Sequence, residues 1–226
     1  MSVQQRDADN PELDAHFFVA WIGRVAEAVA AEKDRLTDLD AAIGDGDHGT
    51  NLLRGFTAVR AALDAKRPES PGAVLVTVGG TLISTVGGAS GPLYGTVFRR
   101  MGKALGEAES VSVQDLAAAF EAGLEGLCKL GGASIGDKTM VDVFAPAVDA
   151  FKSAAGDGAS AERSAFNLAA DVAEAGARET IPRRARKGRA SYLGERSEGH
   201  EDPGAASAAL IWRALAQTAA ATAVVG

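Results

Sequence analysis

The chain predicts an all-α bundle, and three observations carry that expectation. Composition leans on small residues: alanine is frequent, glycine reaches 27 of 226 residues and aromatics only 5%. A core of that kind fills by close approach of backbones, which favours helix against helix. Apolar residues recur three and four apart along most of the chain. The one β-rich run, Ala73–Val78, has no second strand to pair with, so it is expected as helix despite its propensity. On a prior of about 100–200 residues per domain, the length allows one domain or a tight pair and suffices for a sizeable core. No linker divides it, so residues 11–226 read as a single domain behind a polar tail, residues 1–10.

Taken in order, Asn10-Pro11 reads as an N-cap followed by proline in the first turn. Leu13, Phe17, Ala20/Trp21, Val25 and Ala28/Val29 then make an amphipathic helix to about Lys33, and a loop is expected from Leu36 to Gly49. Leu52, Phe56, Val59 and Leu63 mark a second helix ending near Lys66-Arg67-Pro68. Ser112 to Asp115 resembles a capping box. It opens a helix bearing Leu116, Phe120, Leu124 and Leu127, which Gly131-Gly132 stops. Asp137 is placed to cap a helix carrying Met140, Phe144, Val148 and Phe151, with Pro146 expected to bend it. Gly156-Asp157-Gly158 is a turn before an Ala-rich helix to about Arg178. The last helix starts at Asp202-Pro203 and carries Leu210, Ile211, Ala214 and Leu215.

Composition also excludes classes of function. With 46% hydrophobic and 23% charged residues the chain is no disordered polymer. The net charge of -7 disfavours nucleic acid and anionic membrane as partners. A single cysteine, Cys128, rules out an internal disulfide framework and fits a reducing compartment. The first residues, Met1–Asp7, lack an apolar run, so no secretion signal is expected and the chain reads as cytoplasmic. Pro71–Phe98 carries no charge and is long enough to span a bilayer. Its glycines, Pro92 and hydroxyl residues would leave backbone groups unpaired in lipid, so a buried, backbone-lined site is expected instead.

The strongest chemical signal is Leu39–Asn51. Asp40, Asp45 and Asp47 fall within eight residues, separated by glycines. Like charges so close call for a cation, and all-oxygen ligation suits a hard ion such as Mg²⁺. The chain then enters a helix at His48-Gly49-Thr50-Asn51, where free N–H groups and the helix dipole favour a phosphate. A plain glycine turn with Asp47 as N-cap explains one aspartate but not three. His48, between the carboxylates and the helix start, is a candidate phosphate contact, whereas His16 lacks such context. Gly87–Gly95 is either a ligand-cradling loop or a site of tight helix packing. Gly131–Thr139 nearly matches the phosphate-binding loop G-x-x-x-x-G-K-[ST], but Asp137 intrudes and no parallel strand precedes it. Arg183–Arg189 is either a solvated basic loop or a source of arginine for a nucleotide phosphate. The stretch from it to Gly204 reads as a lid or interface loop.

These segments together resemble the nucleotide-binding L subunit of dihydroxyacetone kinase. The likeness rests on LDAAIGDGDHGTN, GGASGPLYGT, GDKTMVDVFAPA and ARKGRASYLGERSEGHEDPG, and runs from about Phe17 to Leu215. It implies an antiparallel barrel of about eight amphipathic helices with nucleotide-binding loops at one end. It implies that Asp40, Asp45 and Asp47 hold two Mg²⁺ ions, and that His48, Gly49, Thr50 and Asn51 meet phosphate. Ala89, Ser90, Gly131, Met140, Arg189, Asp202, Pro203 and Gly204 would surround ADP or ATP. No residue need act as a nucleophile, because the resemblance implies a separate K subunit that holds dihydroxyacetone. A phosphotransferase-system M subunit and a second copy of the chain, as a homodimer, are the further expected partners. The branch with permanently bound ADP is favoured over ATP-dependent relatives acting on dihydroxyacetone or a ketotetrose such as erythrulose. A regulatory module contacting a transcription activator and a fatty-acid kinase module stand as further alternatives.

Overall fold

The computed structural model describes residues 12–155 and 159–222. Among them are nine α-helices, one 3₁₀ segment and one short strand pair. In order these are β1 (Leu13–Asp14), α1 (Ala15–Ala31), α2 (Lys33–Ile43), α3 (His48–Ala65), α4 (Pro71–Thr85) and α5 (Ser90–Leu105). β2 (Ser110–Val111), α6 (Val113–Gly131), α7 (Val141–Ala154) and α8 (Ala159–Glu179) follow. The 3₁₀ segment, Arg189–Ser197, precedes α9 (Pro203–Thr222). The all-α expectation holds. The two strands make only a two-residue antiparallel bridge, Leu13 opposite Val111.

Eight of the helices close on themselves. Each of α1, α3, α4, α5, α6, α7, α8 and α9 packs on the next in that order, and α9 returns to α1. Trp21 ties the closure, its indole N–H donating to the Ile211 carbonyl at 3.1 Å. Phe120 of α6 stacks on Trp212 of α9 with centroids 4.2 Å apart, inside a buried aromatic cluster with Phe144 and Phe151. Elsewhere small residues let backbones touch. A Cβ on Gly95 of α5 would lie 2.7 Å from the Gly79 carbonyl of α4. No described helix is long and apolar enough to cross a membrane; the uncharged Pro71–Phe98 stretch forms α4 and part of α5, packed on each other.

Three local expectations change and one open alternative is decided. Residues 36–43 are helix, not loop: α1 ends at Ala31 and α2 follows at once, burying Leu36, Asp40 and Ile43. A carboxylate at a buried helical position hid the apolar period there. The glycine stretch 87–95 is mostly the first turns of α5, where Gly91 and Gly95 serve close packing rather than loop freedom. Asp137 does not cap α7; it accepts the Ser134 N–H at 2.9 Å, and α7 starts at Val141 and runs through Pro146. The first described helix starts at Ala15, its N-cap Asp14 accepting the Phe17 N–H at 2.9 Å. The expected cap at Asn10-Pro11 and the turn at Gly156–Gly158 lie outside the described residues. The capping box is present as expected, Ser112 and Asp115 satisfying each other's backbone N–H groups.

Candidate functional site

Asp40 organises the site from the last turn of α2. Its Oδ2 accepts the backbone N–H groups of Asp47, at 2.8 Å, and His48, at 3.1 Å. These bonds fold the four-residue turn back over the end of α2. Gly44 makes that possible, because a Cβ there would lie 2.0 Å from Asp40 Oδ1, and Gly46 takes the left-handed φ of 72° that the turn needs. The outcome is that one carboxylate oxygen from each of Asp40, Asp45 and Asp47 lies within 4.8 Å of the others. Asp40 is buried, whereas the other two face solvent. Arg189 stands 3.0 Å from Asp45 Oδ2.

The trio opens onto a cleft of about 510 Å³, a size suited to a small-molecule ligand. Four helices point their N-termini into it: α3 at His48, α5 at Ser90, α7 at Val141 and α9 at Pro203. The α3 start spends its His48 N–H on Asp40 and the α7 start its Val141 N–H on Thr139 Oγ1, whereas α5 begins after Ala89 with no side-chain cap; what all four starts share toward the cleft is the positive end of the helix dipole. Leu93, Leu127, Leu130 and Met140 give the cleft an apolar wall.

His48 is buried with both ring nitrogens engaged. Nε2 meets Ser207 Oγ at 2.9 Å and Nδ1 meets Ser90 Oγ at 3.1 Å. Burial holds its pKa below the ordinary imidazole value, against the opposing pull of Asp40 and Asp47. The Asp202 carboxyl caps α9, accepting the Ala205 N–H at 2.7 Å. Burial pushes its pKa up to about 7, while the Ala205 bond and Lys138 pull the other way.

Lys138 settles the near-match to a phosphate-binding loop. Its residue sits at a left-handed φ of 62° and is buried. Its ammonium donates to the carbonyls of Thr180 at 2.8 Å, Ile181 at 3.4 Å and His200. All three protons are therefore spent at the end of α8 and on the approach to α9, and none is left for a phosphate. Asp142 pins the same loop from inside α7, accepting from Gly136 N at 2.5 Å, Thr139 N at 2.8 Å and the Arg183 guanidinium.

Of the residues singled out from sequence, Asp40, Asp45, Asp47, His48, Ala89 and Ser90 line this one cleft, as do Gly131, Met140, Arg189, Asp202, Pro203 and Gly204. Gly49, Thr50 and Asn51 do not. A Cβ on Gly49 would lie 2.1 Å from the Lys33 carbonyl of α2, Thr50 is exposed, and Asn51 Oδ1 accepts from Arg54 at 2.8 Å. Ser207, Tyr94 and Lys187 were not singled out. The first two are buried beside His48, and Lys187 lines the cleft. The basic run Arg183–Arg189 offered a signal for Lys187; nothing local marks Ser207.

Comparison with known proteins gives the family to which this fold belongs. The model of the DAK2 domain matches residues 42–217. The chain is 45% identical over 205 residues to the ADP-binding subunit DhaL of PEP-dependent dihydroxyacetone kinase 1 from Listeria innocua, covering 91% of this chain and 97% of that one. It is 43% identical over 201 residues to the ADP-binding subunit DhaL of the PEP-dependent dihydroxyacetone kinase of Escherichia coli, covering 89% and 95%. The dihydroxyacetone kinase of C. freundii, solved in complex with AMP-PNP and Mg²⁺, superposes with a TM-score of 0.66 at 26% identity. That match covers 96% of this chain and 36% of the longer one.

Proposed function

The chain belongs to the DAK2 domain family, and on that premise we propose that it is the ADP-binding L subunit of a PEP-dependent dihydroxyacetone kinase. It would carry a phosphoryl group on its nucleotide and deliver it to dihydroxyacetone held by a separate K subunit, with an M subunit of the phosphotransferase system restoring the charge. The observation that carries the reading is the meeting of an acidic trio with four helix N-termini at one cleft. One surface suits a hard cation and the other a polyphosphate, and a metal–nucleotide complex is both at once.

The donor set fits Mg²⁺: it is all carboxylate oxygen and close enough to share ions. Asp40, Asp45 and Asp47 would hold two ions, which neutralise charge on the phosphate oxygens. The chain's own groups do the remaining work. The N-termini of α3 and α5 orient the phosphates, with Ser90 as a side-chain donor. Arg189 stands ready to exchange Asp45 for a phosphate oxygen, the planar guanidinium suiting either. Leu93, Leu127 and Leu130 form an apolar face of the kind an adenine ring covers, with Gly131, Met140 and the Asp202–Gly204 turn bounding the nucleotide. No side chain need be a nucleophile, since positioning and electrostatics carry phosphoryl transfer.

In this reading residues 11–226 are one domain. The ring of eight helices is an antiparallel barrel with its ligand at one end, assembled as a homodimer in the cytoplasm. The experiment is to denature the purified protein and measure released nucleotide, then to reconstitute turnover with a K subunit. Stoichiometric ADP that survives dialysis supports the carrier reading. A site that exchanges ATP freely, or turnover that needs no phosphotransferase-system protein, moves the chain to the ATP-dependent branch. Turnover undiminished in Asp45→Ala refutes the metal assignment.

A further inference from the structure

The wall of the cleft at the start of α5 is supported from outside the cleft. Helix α4 ends at Thr85 and α5 begins at Ser90, so residues 86–89 alone set where the α5 start stands. That short segment rests on α3 at three points. A Cβ on Gly55 would lie 2.1 Å from Val86 Cγ2, so the buried Val86 side chain sits directly on the α3 backbone. Gly87 lies flat against the Asn51 amide, where a Cβ would come within 3.2 Å of both Oδ1 and Nδ2. The third point is Arg54, which donates from Nε to the Thr85 carbonyl at 2.9 Å and from Nη2 to Asn51 Oδ1 at 2.8 Å.

Each of the two arginine contacts has a physical consequence. The Thr85 carbonyl belongs to the last turn of α4, where no later residue of the helix can bond it, and a cation there meets the negative end of the dipole. A guanidinium has donors only, so it fixes which way the buried Asn51 amide faces: Oδ1 toward Arg54, and Nδ2 away from it. The planar fork spans both acceptors at once, which the point charge of a lysine does not. Arg54 itself is exposed and does not line the cleft. What it holds in place does. With no side-chain cap and with Pro92 lacking an N–H, α5 keeps the Ser90 and Gly91 N–H groups as its first-turn donors. Ser90 Oγ also stands 3.1 Å from His48 Nδ1 of α3, so the two helix starts meet at this point.

We propose that Arg54 is a positioning residue for phosphate binding, a strut between the end of α4 and Asn51. It keeps residues 86–89 on α3 and so sets the spacing between the α3 and α5 starts that a phosphate would bridge. The inference rests on the reading of the cleft as a nucleotide site. Misplacement of such donors by an ångström is costly even when every donor is still present.

Amide hydrogen exchange of the nucleotide-free protein and Mg·ADP affinity, measured on the wild type, Arg54→Ala and Arg54→Lys, test this. In Arg54→Ala, exchange at residues 86–91 should quicken by about tenfold while α8 and α9 exchange as in the wild type. Mg·ADP should bind about five- to twentyfold more weakly, with melting lower by only about 1–4 °C. Arg54→Lys keeps the cation without the fork, so it should restore the melting temperature and leave the affinity about threefold or more below the wild type. Because the arginine acts through the α5 start, adding Ser90→Ala to Arg54→Ala should cost less than the product of the two separate losses. Unchanged exchange at residues 86–91, or unchanged affinity despite faster exchange, overturns the strut. So does a lysine variant with wild-type affinity, because charge alone would then suffice, and so do two losses that multiply in full. All four results leave the nucleotide site standing. A wild type that binds no Mg·ADP overturns the nucleotide reading and the positioning role with it.

Discussion

The acidic trio should make the metal-free protein less stable than a variant that lacks one of its members. Three carboxylate oxygens lie within 4.8 Å, so each pair costs roughly 1 kcal/mol in bulk water and roughly 3.5 kcal/mol at an effective dielectric of about 20. Asp45 and Asp47 face solvent, which keeps their repulsion near the lower figure. Asp45→Asn removes two of the pairs, about 2 kcal/mol, and gives up an ion pair with Arg189 of the kind worth about 0–1 kcal/mol. The balance is about 1–2 kcal/mol of stabilisation, or a melting temperature higher by about 2–8 °C in a chain of this size. With Mg²⁺ and ADP the order reverses. Ligand at about 100 times its Kd adds about 2.7 kcal/mol to the wild type, and the variant should lose most of that gain. Thermal unfolding of both proteins, in chelator and in Mg·ADP, reads all four values. An Asp45→Asn protein that melts lower in chelator and responds equally to Mg·ADP would refute the argument, because the trio would then be neither strained nor a ligand set.

Two further outcomes follow from the buried ionisable groups. Lys138→Met strips three carbonyls of their shared donor while relieving a buried ammonium, a balance of about 2–4 kcal/mol against the fold. Calorimetry should show melting lower by about 5–15 °C with the Mg·ADP increment retained; loss of nucleotide binding without loss of stability would instead make Lys138 a nucleotide contact. Asp202, with a pKa of about 7 when folded and an ordinary carboxylate value when unfolded, favours folding fully below about pH 4, and that contribution is lost as pH rises through about 7. Melting of the metal-free wild type should therefore fall between about pH 5 and about pH 8 more steeply than that of Asp202→Asn. Parallel profiles would place the titration elsewhere.

How much of this was legible depended on how far apart in the chain the partners lie. The trio was readable because its three members share one short segment and glycines separate them. The helical class was readable because alanine and apolar spacing repeat throughout. By contrast, Ser207 lies 159 residues from His48 and Lys138 lies 42 residues from Thr180, so their roles exist only after folding. Helix α2 escaped notice because Asp40 occupies one of its inward positions, breaking the apolar period at the residue the site most needs. Gly91 and Gly95 left two readings open, because glycine serves loop freedom and close packing alike; here each lies against a carbonyl of a neighbouring segment. Gly49 combined both difficulties, a glycine at a helix start that serves contact with α2 rather than with the cleft.

The opposed polarity of the two walls has a thermodynamic consequence. A nucleotide entering without metal brings phosphates toward three carboxylates, and a metal entering alone gains their charge but none of the helix dipoles. Each ligand therefore improves the site for the other, and linkage requires the factor to be the same in both directions. Arg189 sharpens the coupling. In the proposed reading its guanidinium, paired with Asp45, would give up that carboxylate to an arriving cation and turn to the phosphates. The same event that neutralises the trio would thus deliver a positive charge to the nucleotide. A phosphoryl carrier gains from this arrangement, since a complex held by mutually dependent partners outlasts one held by either alone and keeps the nucleotide in place between successive transfers.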